Sequence, residues 1–425
     1  MAALTQTRRI LLSAYACEPA RGSEPGVGWN WAIALARQGH DVWVITRANN
    51  RTSIELGLGR VDQRALRKLH FEYFDLPRWV KWWKRLPLGT QLYYALWQRA
   101  VLSVARSMHR QIRFDLVQHI TFGVWRHPSM LYRLGIPFIF GPVGGGETAP
   151  LKLERAFHFS TRLRSLLRRS MNALSLCNPW LRQCLSRATL VVSKTPETAA
   201  WIERAGRAPS LAIEIGVDAS EVESTLPARA QKSAPLSCIF AGRLIDTKGV
   251  HLAIEACSRA RQRGADVMLT VVGKGPMRSR LIELTKALGV EPFVRFIEWL
   301  PRTELFGQYR MNDLLLFPSM QDSSGNVVLE AQAHGLAVVC LDLGGPAVLV
   351  DATCGVVVAT DGRSSDQVID ALAEALRTLQ AEGGRLSELR RASRERALAA
   401  SWDAVVRRTY DRLPPEMHRP WKLEH

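Results

Sequence analysis

Phe317-Pro318-Ser319-Met320-Gln321-Asp322-Ser323-Ser324-Gly325-Asn326-Val327-Val328-Leu329-Glu330 decides how the rest of the chain is read. Residues 314–317 are apolar and read as a buried strand, which Pro318 and Ser319 stop. Residues 321–326 form a polar loop around Gly325, and 327–334 read as a helix with Asn326 as its N-cap. A strand thus delivers a loop of small residues onto a helix N-terminus. Free backbone N–H groups and the positive end of the helix dipole suit a phosphate there. Asp322 and Glu330 stand eight positions apart, one in the loop and one two turns into the helix. With a helical rise of about 1.5 Å per residue, the two carboxylates bracket a ligand longer than one phosphate. Carboxylates accept hydrogen bonds from sugar and ribose hydroxyls.

A chain of 425 residues exceeds one ordinary core, so two domains are expected. No apolar run is long enough for a spanning helix. The apolar run 10–17 follows Arg8 and Arg9 and ends Ala-Tyr-Ala-Cys, which leaves a lipoprotein signal as a competing reading. Its shortness and the Gly-rich loop behind it favour a first buried strand. Seven scattered cysteines without a C-x-x-C pair argue against a metal site or a disulfide framework and fit a reducing cytosol. The net charge of +18 is uneven. Residues 1–225 hold 31 Lys and Arg against 16 Asp and Glu; the remainder holds 26 against 23. A basic half without a nucleic-acid motif points to an anionic surface, a membrane first.

The chain opens with a strand at 9–16, a loop rich in Gly and Pro at 17–28, a helix at 29–38 closed by Gly39, and a strand at 41–46. This is the start of a doubly wound α/β domain. Gly26 and Gly28 let backbone approach a ligand, although Trp31 at the third glycine position breaks the dinucleotide fingerprint and a plain tight turn is the alternative. A strand at 69–74 precedes Arg78-Trp79-Val80-Lys81-Trp82-Trp83-Lys84-Arg85, a mixture favoured at membrane interfaces or, alternatively, packed under the helix that follows. That helix, 89–110, carries Leu92, Leu96, Ala100, Val101 and Val104 on one face. His119 ends the strand 114–119, where such sheets bind ligands; spacing alone leaves a structural histidine equally open. The strand 136–140 runs into Gly141-Pro142-Val143-Gly144-Gly145-Gly146-Glu147, whose glycines are costly in chain entropy and so suggest a functional loop. Residues 151–174 repeat apolar side chains at helical spacing with Arg155, Arg162, Arg164, Arg168 and Arg169 between them. A membrane-surface helix and a core-facing helix with a solvated basic face both fit.

After a linker at 221–235 the α/β pattern restarts with a strand at 236–241 and the loop Gly242-Arg243-Leu244-Ile245-Asp246-Thr247-Lys248-Gly249. Arg243 and Lys248 suit a diphosphate, one through a forked contact and one as a point charge. Strands follow at 266–272, 294–297 and 337–341, and helices at 251–263, 302–311, 365–379 and 386–400. A last helix starts at Ser401-Trp402 and a loose tail at Pro414.

The acidic pair, the Arg243–Lys248 loop and the opening at 9–46 together resemble the retaining GT-B glycosyltransferases, glycosyltransferase family 4 in particular. The pair is similar to that family's E-x7-E motif, with Asp322 standing where a Glu is usual and Glu330 matching. The resemblance covers most of the chain, most closely over 237–360 and 9–46. It implies two Rossmann-like doubly wound α/β domains facing a cleft: an acceptor- and membrane-facing domain at 1–225, a nucleotide-sugar domain at 226–401, and a helix at 402–425 crossing back onto the first. It implies transfer of a sugar from a nucleoside diphosphate sugar to an acceptor hydroxyl with retention, the acceptor being a carbohydrate or a lipid-linked glycan. Arg243, Lys248 and backbone amides of Ser323, Ser324, Gly325, Asn326 and Val327 would hold the diphosphate and sugar. Glu330 would hold the ribose, Asp322 the donor sugar, and His119 the sugar or β-phosphate. Gly26 and Gly28 would close over the donor phosphate, and Glu147 would meet the acceptor. No metal and no cofactor beyond the donor is expected, no nucleic-acid partner, and a place at the cytoplasmic face of a membrane. A GT-B epimerase and a non-catalytic nucleotide-sugar binder remain as alternatives.

Overall fold

The computed structural model describes residues 7–82, 89–222 and 235–418. Trp83, Lys84 and Arg85, most of the 221–235 linker and the tail 419–425 lie outside the described residues. The chain divides into two compact units. The first holds Met1–Gly146, Asn172–Ile215 and Trp402–His425; the second holds Glu147–Met171 and Gly216–Ser401. The segment 147–171 thus groups with the second unit, whereas the sequence boundary of 1–225 kept it in the first.

The first unit carries seven parallel strands: β1 Arg9–Ser13, β2 Asp41–Thr46, β3 Leu69–Tyr73, β4 Leu116–His119, β5 Phe138–Val143, β6 Leu190–Ser193 and β7 Ser210–Leu211, in the order β3-β2-β1-β4-β5-β6-β7. The second carries six: β8 Leu236–Ala241, β9 Val267–Val272, β10 Val294–Ile297, β11 Leu314–Phe317, β12 Ala337–Leu341 and β13 Gly355–Val358, in the order β10-β9-β8-β11-β12-β13. Central strands such as β11 and β12 are apolar and buried throughout, as a parallel strand covered on both faces must be. Each sheet reverses direction of growth beside its first strand, β1/β4 in one and β8/β11 in the other. Doubly wound sheets bind ligands outside the carboxyl ends of strands at such a point.

Two helices differ from the sequence expectation in ways that bear on the site and the core. The helix expected from Trp29 begins at Ser23 and runs Ser23–Arg37. Pro25 lies in its first turn, where a missing N–H costs nothing. The helix Gly89–Ile112 buries Tyr93, Tyr94, Trp97, Val101, Leu102 and Ala105, while Leu92 is 51 % exposed. The aromatic rings turn that helix slightly from the leucine face, because they bury more area. The closing helix Trp402–Tyr410 is bonded within the first unit: Tyr410 Oη donates to Gln118 at 2.6 Å and Gln38 Nε2 to the Asp403 carbonyl at 3.0 Å.

Candidate active site

The loops after β8 and β11 lie side by side at the switch point of the second sheet. The first makes one short turn, Asp246–Lys248, and enters the helix Val250–Gln262 through Gly249. Gly249 has φ +69°, and a Cβ there would stand 2.0 Å from the Pro318 carbonyl oxygen. Glycine is what lets the two loops touch. Thr247 O in turn accepts from the Met320 amide at 2.9 Å. This contact aims Lys248 across the second loop. Its Nζ donates to the Gln321 carbonyl at 3.3 Å and is ion-paired with the Asp322 carboxylate.

Asp322 also accepts from its own loop, from the Ser324 amide at 3.2 Å and the Gly325 amide at 2.9 Å. Burial alone would push its carboxyl up; Lys248 and these two N–H groups outweigh that and hold it below the usual carboxylate range. The Ser324 and Gly325 amides, expected to face the diphosphate, are therefore taken by Asp322. The expected N-cap is also displaced by one residue. Gly325, with φ +73°, caps the helix Asn326–Ala333, and Asn326 is its first residue. The amides of Asn326 and Val327 have no hydrogen-bond partner among the described residues and remain for an anion. The loop rests on Gly344 and Gly345: the Gly345 amide donates to Asp322 O at 2.8 Å, and a Cβ on Gly344 would stand 2.1 Å from the same oxygen.

Glu330, one face further along the helix, meets Arg302 Nε at 3.3 Å. The two other guanidinium nitrogens of Arg302 grip Glu221 at 2.6 and 2.9 Å. Burial pushes the Glu330 carboxyl above its usual range, and Arg302 opposes that only in part. The two acids of the motif are thus shifted in opposite directions. Arg243 is exposed and makes no ion pair among the described residues. Glu147, expected on the acceptor side, is 2 % exposed and belongs to the same cluster. It accepts from Ser323 Oγ at 2.7 Å, and its carbonyl accepts from Gln321 Nε2 at 3.0 Å.

Three sequence candidates lie in the first unit. Gly26 and Gly28 are buried inside the helix Ser23–Arg37, past its free amides. A Cβ on Gly26 would meet the Arg21 carbonyl oxygen at 2.0 Å, and one on Gly28 the Ala16 carbonyl oxygen at 2.2 Å. The close approach they permit is to the chain itself, which corrects the loop placement expected for them. His119 is 1 % exposed, with Nε2 3.2 Å from Tyr94 Oη and Nδ1 without a partner among the described residues. Burial, helped by His127, lowers its pKa to about 3, so the ring is neutral at physiological pH. Sequence reading missed Arg302, Gln321 and Tyr94 as parts of these constellations. A lone Arg after Pro301 and a Tyr inside a long helix carry no local signal of partners far along the chain.

These features meet in a known class. The two parallel-sheet α/β units have the GT-B fold, the fold of several glycosyltransferases. Sucrose-phosphate synthase from Thermosynechococcus elongatus superposes with a TM-score of 0.59 at 18 % identity, over 95 % of this chain and 98 % of that one. HepE from Anabaena in complex with UDP gives 0.58 at 18 %, over 95 % and 99 %. More particularly, residues 226–397 match the family described as Glycosyl transferases group 1. A curated relative, D-inositol 3-phosphate glycosyltransferase from Salinispora tropica, is 38 % identical over 182 residues, which is 40 % of this chain and 36 % of the relative. The matches to curated relatives thus cover about a third to a half of their length.

Proposed function

We propose that the protein is a retaining glycosyltransferase of family 4 that moves a sugar from a nucleoside diphosphate sugar to an acceptor hydroxyl. The observation that carries this reading is the placement of Lys248, Arg243 and the open Asn326 and Val327 amides around one switch point, with Glu330 about one turn further along the helix. In the transfer the bond from the anomeric carbon to the β-phosphate oxygen breaks and its electron pair stays on the diphosphate. The acceptor oxygen bonds that carbon on the same face, and its proton passes to the departing phosphate. Lys248, Arg243 and the amides stabilise the growing phosphate charge. Glu330 accepts from the ribose and Asp322 from the donor sugar. These cations supply the counter-charge, so the reaction is independent of metal. The basic residues 1–225 favour a lipid-linked or lipid glycan acceptor at the cytoplasmic face of a membrane.

One observation favours a second reading, a nucleotide-sugar binder without turnover: Lys248 is already engaged by the shorter acid at position 322. Release of nucleoside diphosphate from UDP-, GDP- and ADP-sugars, with EDTA present and a Glu330→Ala control, separates the two. Release from one donor, lost in the control, supports transfer. No release, with or without a membrane lipid extract as acceptor source, supports the binder.

A further inference from the structure

The helix Phe159–Ser175 is packed inside out. Its inward side is polar: Ser165 is 7 % exposed and Asn172 0 %. Thr161 Oγ1 donates to Asp246 at 2.6 Å, and Asn172 Oδ1 accepts from Trp125 Nε1 at 3.2 Å. Its apolar side faces out. Phe159 is 77 % exposed, Leu163 46 %, Leu166 58 %, Leu167 54 % and Leu174 72 %. With about 100° of turn per residue, these five fall on one arc opposite Ser165 and Asn172. The polar anchors fix the rotation and hold that arc outward, which removes the core-facing alternative left open by the spacing. Scattered exposed leucines are ordinary, whereas a continuous ridge marks an interaction surface.

Charge selects what covers it. Arg162 and Arg164 stand at the two borders of the apolar arc, and the helix contains no acid. The Arg162 guanidinium bonds only the backbone carbonyls of Glu154 and Arg155 among the described residues, and Arg164 and Arg168 make no ion pair there. Their charges therefore stay uncompensated, within a segment, 1–225, that carries 31 basic residues against 16 acidic. An anionic bilayer surface takes both parts, apolar side chains at the acyl boundary and guanidinium groups at the phosphates. Among the described residues no helix is long and apolar enough to cross a membrane, so this one lies in the interface plane.

We infer that the outward ridge Phe159, Leu163, Leu166, Leu167 and Leu174, bordered by Arg162 and Arg164, docks the protein on an anionic lipid surface. The inference deepens the membrane-facing part of the proposed function and rests on it. The full chain is floated with vesicles of phosphatidylglycerol and phosphatidylcholine in about equal parts, and with phosphatidylcholine alone, at low and high salt. Wild type floats with the anionic vesicles at low salt, and Leu166→Gln/Leu167→Gln lowers the bound fraction about tenfold or more. Arg162→Gln/Arg164→Gln removes most of the salt dependence. Donor hydrolysis is measured on the same samples without vesicles. It stays unchanged in both double variants, so a docking failure is told apart from a failure of the transfer reading. Wild type that stays unbound, binds neutral vesicles equally, or floats as well with both leucines replaced overturns the inference. So does a self-associated wild type that becomes monomeric on the leucine changes and never floats.

Discussion

The two units repeat one strand order and furnish its switch point with different chemistry. In the first, the ends of β1 and β4 are capped by rings. Tyr15 stacks edge-on against Tyr94 at 5.2 Å, Trp97 at 5.0 Å and Phe122 at 5.1 Å, and His119 beside them is neutral. In the second, the ends of β8 and β11 carry the Lys248–Asp322 pair, the exposed Arg243 and two amides without a hydrogen-bond partner among the described residues. The shared part of the strand order thus carries ring packing at one switch point and charged groups at the other. Fold alone does not assign the chemistry; the residues on its loops do.

The largest expected break in that contrast comes from Lys248→Ala. Nucleoside diphosphate release should fall roughly 10²–10³-fold, the usual loss when one stabiliser of transition-state charge is removed. Asp322 is then left part-buried without its counter-ion, so the second unit should also lose roughly 3 kcal/mol. A double-mutant cycle with Asp322→Ala measured by thermal melting should show strong non-additivity. Additive losses would mean that the pair is not formed in solution.

Acid should separate the units next. His40 and His127 have pKa values lowered to about 4 by burial and nearby Arg groups, and His119 to about 3, all in the first unit. In the second unit His251 is lowered by burial to about 4. A histidine depressed on folding takes up its proton in the unfolded chain first. Its contribution to stability is full above the ordinary pKa of about 6.5 and is lost as pH falls towards the folded value. Of the 13 tryptophans only Trp299 lies in the second unit, so tryptophan fluorescence reports the first. Between about pH 7 and pH 5 the midpoint seen by fluorescence should drop by at least about 5 °C. Circular dichroism should retain a second, less pH-sensitive transition. A single transition shifting as one would show that the histidine imbalance does not set the order of melting.

Much of this was legible. Strands β11 and β12 have the bounds their apolar runs imply, because a strand buried on both faces writes itself as an unbroken apolar stretch. The helix at Ser23 was not, since Gly22, Pro25, Gly26 and Gly28 read as loop residues until close packing against Ala16 and Arg21 is seen. The site was half legible. Lys248, Asp322 and Glu330 announce themselves by type and spacing. The capture of the Ser324 and Gly325 amides by Asp322, and of Glu147 by Ser323, depends on side-chain directions that spacing does not encode.

The acids of the motif sharpen the contrast within the second unit. Asp322, held below its usual range, contributes stability above the ordinary carboxylate pKa that is lost as pH falls through its folded value. Glu330, raised above its ordinary value, does the reverse: stability declines as pH rises through its folded pKa. At neutral pH Asp322→Asn should therefore lower the melting temperature by a few degrees, and Glu330→Gln should raise it by about 1–2 °C. Shifts of the same sign in both variants would show that the two sites are not electrostatically opposite.

The smallest effect is expected at His119, and its smallness is the point. A residue that touches the donor sugar or carries a proton should cost a hundredfold or more when replaced, since general acid–base groups contribute about 10²–10⁴-fold. His119 is sealed at 1 % exposure, holds Tyr94 through Nε2, and stays uncharged until about pH 3. His119→Gln keeps a polar group near Tyr94 and removes the titratable ring. Donor turnover should stay within about threefold of wild type, with the pH–rate profile between about pH 5.5 and 8 unmoved. A hundredfold loss, or a missing limb in that profile, would move His119 from the packed floor of the first unit into the reaction. The ring would then have to reach solvent during turnover, and the division between a packed unit and a charged one would fail at the residue that ends β4, beside the switch point.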